Sequence, residues 1–502
     1  MCRLAIPTLS PWLSSPLRSW PFHAYAYWVL PVLTVQEMRD ADNAAIAALG
    51  DKAKSSGSDY DVFIQRAGAA CAHAAIQMMG GAYGKRVMVI AGKGHNGDDG
   101  RVAAMHLRSR GAHVTMCDAI EMGNVFIDDR SADLVIDAAY GIGFRGTWEP
   151  PIVFDVPVLA VDVPSGLNAN TGIAEGPVLP ADRTLAFGAL KRGMLFHDGP
   201  ALCGEIEVHD VGIDAMAHLE HIGAYLLESH DAMHWLPHRE RDSHKWTHSL
   251  RVIAGSAGMT GAAALVCASA MRAGAGIVHA SVRGGDVSSD LALPTEVVHR
   301  ALPATHWADA ISSDIARFDA MVMGPGLGRG DDVATEVRNI LRTTTLPVVI
   351  DGDGLGASVD AHGDVSTLSS REGITVLTPH DGEFSALGGD AHDVDRIGAT
   401  EQVARATNCV VLRKGPTTVV SQPHGPTFLV NAGDHRLATA GTGDVLSGVI
   451  GAFLARGMDG ATAAAAGAMV HGRAGAVCMA EGTIARDVVS AIGDVLTEMM
   501  TS

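Results

Sequence analysis

Short apolar runs that end in glycine-rich turns recur along this 502-residue chain. The run 85–91 passes into the turn 92–100, and the run 250–254 passes into the turn 255–263. A segment with helical periodicity follows each turn. Near-continuous apolar strands that alternate with helices are typical of a parallel sheet covered on both faces. The pattern therefore predicts an α/β fold.

Similar apolar runs predict strands in both halves of the chain. In the first half they cover 112–117, 134–137, 158–161 and 184–187. In the second half they cover 277–282, 320–323, 348–350, 375–377 and 410–412. We therefore expect two domains, each a largely parallel sheet with helices on both faces. Their predicted limits are 34–213 and 237–502, with a connector at 214–236.

Residues 1–33 do not share this pattern. Prolines interrupt them repeatedly, and no acidic residue precedes Glu37. We expect a disordered tail or a start upstream of the true start codon, and a targeting segment is the alternative. Thr34 and Glu37 have the spacing of a capping box, so ordered structure is expected to begin with a helix at Thr34.

Composition narrows the classes of partner. The chain has 37 basic and 56 acidic residues, a net charge of −19, which disfavours binding to nucleic-acid phosphates. Its seven cysteines form no Cys-x-x-Cys pair, so neither a zinc ribbon nor a disulfide framework is indicated. No apolar segment is long and unbroken enough to span a bilayer. These properties predict a cytoplasmic protein without nucleic-acid or membrane partners.

Three turns in the first half follow predicted strands and carry polar side chains. They cover 92–100, 137–146 and 162–168. In a parallel sheet such turns meet at the carboxyl edge, where α/β folds bind their ligands. The glycines of the first turn leave backbone N–H groups free to meet an anion at a helix N-terminus. On the residues alone, tight structural turns and an Asx-type turn remain the alternatives.

Together with the capped helix from Thr34, these turns resemble the epimerase domain of the NAD(P)H-hydrate repair enzymes. In the first turn, His95 and Asp98 stand where that family usually has Asn and Gly. The resemblance implies a Rossmann-like fold for 34–213. It also implies interconversion of the R and S forms of hydrated NADH and NADPH (NADHX and NADPHX).

The same resemblance implies particular site residues. Asn96, Asp137 and Ser165 would hold K⁺, and Asp162 would act as the acid/base at C6 of the hydrated nicotinamide ring. The implied substrate contacts are Asn96, Gly143, Phe144, Arg145, Gly146, Thr147 and Asp162.

The strongest signal in the second half is Gly441-Thr442-Gly443-Asp444. It precedes a helix whose apolar residues recur at i, i+4 and i+8. The N–H groups and dipole of a helix N-terminus stabilise negative charge on a phosphoryl group in transfer. Asp444, in the first turn, can accept a proton from an attacking hydroxyl. An N-capping aspartate after a structural turn is the alternative.

Other predicted strand ends in this half also carry small or polar residues, at 255–263, 324–328, 351–353, 377–383 and 414–418. Together they resemble the ribokinase-like dehydratase domain of the same repair enzymes. Asp381 stands where that family usually has Pro.

This second resemblance implies that ADP or ATP donates a phosphoryl group, with Mg²⁺ bound in this domain and Asp444 as catalytic base. The implied nucleotide contacts are Lys414, Gly415, Pro416, Thr417, Thr418, Gly441, Thr442 and Gly443. The implied contacts to the hydrated coenzyme are Ala262, Gly326, His380 and Asp444.

The resemblances imply a bifunctional repair enzyme, and we expect it to be a homo-oligomer. It would epimerise NAD(P)HX at C6 and dehydrate the S form to NAD(P)H, converting ADP to AMP and phosphate. Two alternatives remain open at this point. One is a small-molecule kinase of the same fold, which would leave a stable phosphorylated product. The other is a dehydratase whose first domain only binds nucleotides or partners.

Overall fold

A computed structural model describes residues 29–50, 61–284 and 293–501. These residues fall into two compact units, divided between Gly223 and Ala224. Within these ranges, no helix is long and apolar enough to cross a membrane. Residues 1–28, most of the predicted tail, lie outside the described residues.

The first unit alternates strands and helices. Its strands are β1 (Leu30–Leu33), β2 (Arg86–Ala91), β3 (His113–Asp118), β4 (Phe126–Ile127), β5 (Leu134–Ala138), β6 (Ile152–Val153), β7 (Val158–Val161), β8 (Arg183–Phe187), β9 (Leu190–Lys191) and β10 (Glu205–His209). Its helices are α1 (Val35–Leu49), α2 (Val62–Met79), α3 (His95–Ser109), α4 (Gly199–Leu202) and α5 (Ala215–His218).

Six of these strands form a parallel sheet in the order β10-β8-β7-β5-β2-β3. Side chains that alternate along β5 enter two different apolar cores, Leu134 and Ile136 one core and Val135 the other. Because both faces are buried, the strands read as continuous apolar runs in the sequence. Strand β5 lies between β2 and β7, so the turns that follow these three strands are neighbours.

The second unit repeats the plan on a wider sheet. Its strands are β11 (Ala224–Leu226), β12 (Ser249–Ser256), β13 (Ile277–Arg283), β14 (Val298–His299), β15 (Ala320–Met323), β16 (Val348–Ile350), β17 (Thr375–Leu377), β18 (Val410–Arg413), β19 (Thr418–Ser421) and β20 (Thr427–Val430). Its helices are α6 (Ser229–Trp235), α7 (Thr260–Arg272), α8 (Ala308–Ser312), α9 (Asp331–Thr343), α10 (Asp353–Ser358), α11 (Ser366–Ser369), α12 (Asp381–Ala386), α13 (Arg396–Thr407), α14 (Thr442–Ala455), α15 (Gly460–Ala476) and α16 (Ala485–Thr501).

The strand order in this unit is β14-β13-β12-β15-β16-β17-β18-β19-β20-β11. Neighbours from β14 to β18 are parallel, whereas β19 is antiparallel to β18 and to β20. Met321 and Val322 of β15 enter different cores, so helices cover both faces here too. Helix α14 packs closely on α7. A Cβ at Gly448 of α14 would lie only 2.0 Å from Ser269 Oγ of α7, so the absence of a side chain at Gly448 permits this contact.

The predicted α/β architecture with two units, largely parallel sheets and helices on both faces is confirmed. The predicted capping box is also confirmed: Thr34 Oγ1 accepts the N–H of Glu37 at 3.1 Å, and the Glu37 carboxylate accepts the N–H of Thr34 at 2.7 Å.

Two expectations about the limits of structure are wrong. Ordered structure begins before Thr34, since β1 pairs in parallel with β9 and Leu33 is fully buried. The expected connector contains β11, which pairs with β20 and so belongs to the second sheet. Both strands are short and depend on partners distant in the chain, so local patterns do not reveal them.

Candidate active sites

A cavity of about 980 Å³ opens at the carboxyl edge of the first sheet. Its walls come from α1, the start of α2 and the turns after β2, β5 and β7, and its volume suits a small-molecule ligand. Five expected substrate contacts line it, namely Asn96, Gly143, Phe144, Arg145 and Asp162. Gly146 and Thr147, from the same predicted loop, are not part of the lining.

The three expected potassium ligands meet around the backbone of Tyr140. Asn96 Nδ2 donates to the Tyr140 carbonyl at 3.0 Å, and Ser165 Oγ accepts the Tyr140 N–H at 2.8 Å. The fully buried Asp137 accepts from Ser165 Oγ at 2.6 Å and from the Ser165 N–H at 2.9 Å. Burial raises the pKa of Asp137, although these hydrogen bonds oppose the shift. The result is a buried cluster of oxygen atoms, the type of donor that hard cations prefer.

Asp162 forms an ion pair with Lys191, a residue that the sequence analysis did not single out. The Lys191 side chain is 1% exposed and also donates to the Phe187 carbonyl at 2.9 Å. Asp162 has a φ of 66°, a left-handed conformation that is uncommon for residues other than glycine. This turn after β7 places a carboxylate and a buried ammonium group together in the wall of the cavity. No local motif marks Lys191, because its significance comes from its contact with Asp162.

Two further carboxyl groups of the cavity, Asp42 and Asp99, have raised pKa values. Burial is the main cause in both, and the charge of Asp162 adds to it. The pKa of Asp42 rises to about 6, with Lys191 opposing the shift, and that of Asp99 rises to about 9. Asp99 is therefore neutral at physiological pH. The sequence analysis missed both groups, because an isolated aspartate in a sequence does not show whether its side chain is buried.

The two residues of the first turn that differ from the family's usual residues, His95 and Asp98, lie in different surroundings. His95 lines the cavity, whereas Asp98 pairs with Arg101 on the same helix at 2.9 Å. The charge of Asp98 is thus balanced within α3. Gly92 permits the close approach of two turns, because a Cβ there would lie 1.9 Å from the Ala139 carbonyl oxygen.

In the second unit, the turn 441–443 begins α14. Gly441 is left-handed, with a φ of 89°, and no side chain of the described residues caps the helix at this position. The Nζ of Lys414 lies 3.2 Å from the point that a Cβ at Gly443 would occupy. An uncapped helix N-terminus beside an ammonium group is well suited to bind phosphate.

A buried carboxylate fixes this ammonium group. Asp351, 3% exposed, accepts from Lys414 Nζ at 2.7 Å, from Thr378 Oγ1 at 2.8 Å and from Ser447 Oγ at 2.7 Å. These four residues follow β16, β17 and β18 or lie on α14, so one carboxylate ties together the parts of the site. The sequence analysis included Asp351 in a turn but gave it no role, and it missed Ser447.

Asp444 has the properties of a general base. Its side chain forms no hydrogen bond with any other residue in the described ranges. Burial, followed by the charges of Asp351 and Asp353, raises the pKa of Asp444 to about 6, while Lys414 opposes the shift. Such a carboxyl group is mostly ionised at neutral pH and basic enough to accept a proton.

The expected coenzyme contacts lie on neighbouring turns. A Cβ at Gly326 would be 2.9 Å from the Ala262 Cβ, so these two residues are adjacent. His380 caps α12, is 62% exposed and accepts backbone N–H groups of that helix through Nδ1. The Lys414 N–H donates to the Pro379 carbonyl at 2.9 Å, which places the His380 turn beside the Lys414 turn.

The expected nucleotide contacts 414–418 connect β18 to β19. Gly415 and Pro416 are exposed, whereas Thr417 is buried. The buried His471 of α15, which the sequence analysis missed, lies near the backbone of Thr442. Burial, and secondly the charge of Lys414, lowers the pKa of His471 to about 4, so the imidazole is neutral.

One unit thus carries a cavity with an acid–ammonium pair, and the other carries a helix N-terminus beside an ammonium group and a carboxyl group of raised pKa. These features define a two-site α/β enzyme.

Comparisons with known proteins agree with this class. A family model described as NAD(P)H-hydrate dehydratase matches residues 250–497, and one described as YjeF-related protein N-terminus matches 60–126 and 118–193. The bifunctional NAD(P)H-hydrate repair enzyme of Moorella thermoacetica is 35% identical over 78% of this chain and 83% of its own length. The enzyme of that name from Mycobacterium leprae is 36% identical over 89% of this chain and 94% of its own length.

A ribokinase-like superfamily protein from Enterococcus faecalis, 18% identical, matches with a TM-score of 0.50 over 57% of this chain and 99% of its own. That likeness concerns the fold. On the sequence matches, the chain belongs to the family of bifunctional NAD(P)H-hydrate repair enzymes.

Proposed function

We propose that this chain restores hydrated NADH and NADPH in two steps. The first unit interconverts the R and S forms at C6, and the second dehydrates the S form with ADP or ATP as phosphoryl donor. The observation that carries the proposal is the position of Asp444 in the first turn of α14 beside Lys414, where its carboxyl group has a pKa of about 6 and no hydrogen-bond partner among the described residues.

In the dehydration step, Asp444 accepts the proton of the C6 hydroxyl group. The hydroxyl oxygen attacks the terminal phosphorus of the nucleotide at the same time. The new O–P bond forms as the bond to the leaving nucleotide breaks, so ADP becomes AMP. The N–H groups of the turn 441–443 and Lys414 Nζ stabilise the charge on the transferred group. Phosphate then leaves C6 and a proton leaves C5, which restores the double bond. Phosphate leaves far more readily than hydroxide, and this difference explains the use of a nucleotide.

In the first unit, the Asp162 carboxylate takes the proton of the C6 hydroxyl and passes it to N1 as the C6–N1 bond breaks. The resulting aldehyde rotates, N1 attacks its other face to close the ring, and the proton returns to the oxygen, so C6 is inverted. Lys191 fixes the position of that carboxylate and balances its charge. The Arg39, Lys93 and Arg145 side chains also belong to the cavity lining and suit the diphosphate of the substrate.

Two cations are part of the proposal. Asn96, Asp137, Ser165 and the Tyr140 carbonyl supply oxygen donors that fit K⁺, which would offset the Asp137 charge and orient the substrate. No group of three or more His, Cys, Asp or Glu in the described part of the chain could hold a metal ion. We therefore propose that Mg²⁺ enters with the nucleotide and is held mainly by its phosphates and by water.

We also propose a cytoplasmic location and a homo-oligomeric state. Each of the described cysteines is a free thiol, as in a reducing compartment. The exposed apolar side chains of Phe126 and Ile152 are direct neighbours across β4 and β6, which favours contact with another copy. Light scattering after size-exclusion chromatography measures the state.

The test uses purified full-length chain, hydrated NADH, Mg²⁺ and ADP, with and without K⁺. We expect the near-ultraviolet absorbance of the dihydronicotinamide ring to return, with AMP and phosphate as products. Release of a stable phosphorylated compound without recovery of absorbance would identify a small-molecule kinase instead.

A second assay isolates the first unit within the full chain. In the Asp444→Ala variant, chromatography of pure R epimer should show its conversion to the S epimer. A persistent R epimer would mean that the first unit is not an epimerase.

A further inference from the structure

We propose that Arg396 is a positioning residue that holds the nucleotide loop, residues 414–418, in its binding conformation, and that Asp381 fixes the Arg396 guanidinium. This inference rests on the proposed role of that loop. It assigns a function to Asp381, which differs from the family's usual Pro.

One planar guanidinium bridges two segments of the site, the nucleotide loop and the turn 377–383 that contains His380, here called the coenzyme turn. Arg396 Nη1 lies 3.2 Å from both carboxylate oxygens of Asp381, directly after His380. Arg396 Nη2 donates to the Lys414 carbonyl at 3.2 Å. A fork of donors with fixed spacing is specific to arginine, and lysine cannot make both contacts at once.

The anchor of this bridge is itself fixed. Asp381 also accepts from Arg413 Nε at 2.8 Å, and the fully buried Arg413 guanidinium stacks 4.3 Å from the centre of the Phe384 ring. Burial alone would raise the pKa of Asp381, but hydrogen bonds from Arg413 and Arg396 hold it below its usual value. The carboxylate is therefore ionised at neutral pH and available to orient Arg396.

Three contacts determine where Lys414 lies. Its N–H donates to Pro379, its carbonyl accepts from Arg396, and its Nζ binds Asp351. Gly415, the next residue, leaves room for the bridge, because a Cβ there would lie 2.9 Å from Arg396 Nη2.

The tip of the loop, Gly415 and Pro416, is exposed. Without the Arg396 contact, the loop would sample more conformations, and the bound nucleotide would have to order it. Loss of Arg396 should therefore weaken nucleotide binding more than it slows the chemical step.

The experiment compares Arg396→Gln, Arg396→Lys and a matched control, Arg405→Gln. Arg405 lies on the same helix, α13, but pairs with Glu401 one turn away and is 54% exposed. Asp381 itself is left unchanged, because its removal would leave Arg413 as an unpaired buried charge.

For Arg396→Gln, we expect the KM for ADP and the Kd for ADP, measured by calorimetry, to rise about tenfold, the scale of one hydrogen bond to a charged group. The kcat at saturating ADP and the KM for hydrated NADH should stay within about twofold, since Asp444 is unchanged and His380 keeps the hydrogen bonds with which it caps α12. Arg405→Gln should match the wild type in all of these quantities.

Arg396→Lys separates positioning from simple charge balance. Its thermal midpoint should match the wild type, since the charge beside Asp381 is kept, while its Kd for ADP should stay close to that of Arg396→Gln. Equal ADP affinity in Arg396→Gln and wild type, or full rescue by Lys, would overturn the inference.

The two proposals can fail separately. A wild-type chain that binds ADP but does not dehydrate the coenzyme contradicts the proposed function, and the calorimetric comparison still decides the role of Arg396. A wild-type chain that binds neither ADP nor ATP contradicts both.

Discussion

The two units present their central aspartates in opposite ways. Asp162 is bound to Lys191, whose side chain is 1% exposed, in the wall of a cavity. Asp444 forms no hydrogen bond with any other residue in the described ranges and lies in the first turn of α14. The first carboxylate is held by a fixed counter-charge, whereas the second is kept basic by burial and by neighbouring carboxylates.

This difference matches the chemistry proposed for each unit. Epimerisation returns every proton to where it began, so a fixed acid–ammonium pair can serve both directions. Phosphoryl transfer must remove a proton once, and the charge that develops is met by a helix N-terminus together with the Lys414 ammonium group. The same residue type therefore acts in two electrostatic environments within one chain.

The Asp444→Ala variant gives the strongest test of the contrast between the two aspartates. We expect the dehydration rate to fall by about 100- to 10,000-fold, the scale of general-base catalysis, while epimerisation is unchanged. The rates are measured separately on the S and the R epimer. Near-normal dehydration by this variant would remove the contrast between the two aspartates.

The Asp162→Asn variant tests how much the ion pair between Asp162 and Lys191 contributes to the stability of the first unit. It leaves the Lys191 ammonium buried without its partner, which should cost about 3–5 kcal/mol of stability in addition to epimerase activity. Chemical denaturation measures the loss, and the double variant Asp162→Asn/Lys191→Met should recover most of it. A single variant as stable as wild type would show that the pair is not structurally important.

The pH dependence sharpens the contrast for the second unit. With a pKa of about 6, Asp444 becomes protonated as the pH falls below that value, so the dehydration rate should fall about tenfold per pH unit on the acid side. Unfolding midpoints over the same pH range control for loss of fold. A rate that stays flat well below pH 6 would exclude Asp444 as the base.

Asp99→Asn should have the smallest effect, and one of opposite sign. Because the folded pKa of Asp99 is about 9 against an ordinary value of 3.8, wild-type stability declines as the pH rises between these values. The Asn variant lacks this decline. It should therefore be more stable than the wild type at neutral pH, and the gain should vanish towards the ordinary pKa. A variant less stable than wild type at neutral pH would contradict the proposed protonation of Asp99.

Much of the architecture could be predicted because burial on both faces makes parallel strands into apolar runs. The strands β7, β15 and β16 lie where the sequence analysis placed them. Asp137, Asp162 and Asp444 could be singled out because each lies at the end of a strand, follows one or opens a helix, and such positions are local in the sequence.

The remaining features depend on contacts that no local pattern encodes. Lys191 acquires its significance from an ion pair with a distant aspartate, and Asp351 from hydrogen bonds supplied by three separate elements. Strand β1 depends on pairing with β9. His380, expected to contact the coenzyme, also caps α12, a role that only its position in the fold reveals.

The most direct test of the central claim is a crystal structure of the full chain with ADP bound. The account predicts that the terminal phosphate lies against the N–H groups of the turn 441–443, between Lys414 Nζ and the Asp444 carboxylate. Phosphates bound away from that helix N-terminus would contradict it.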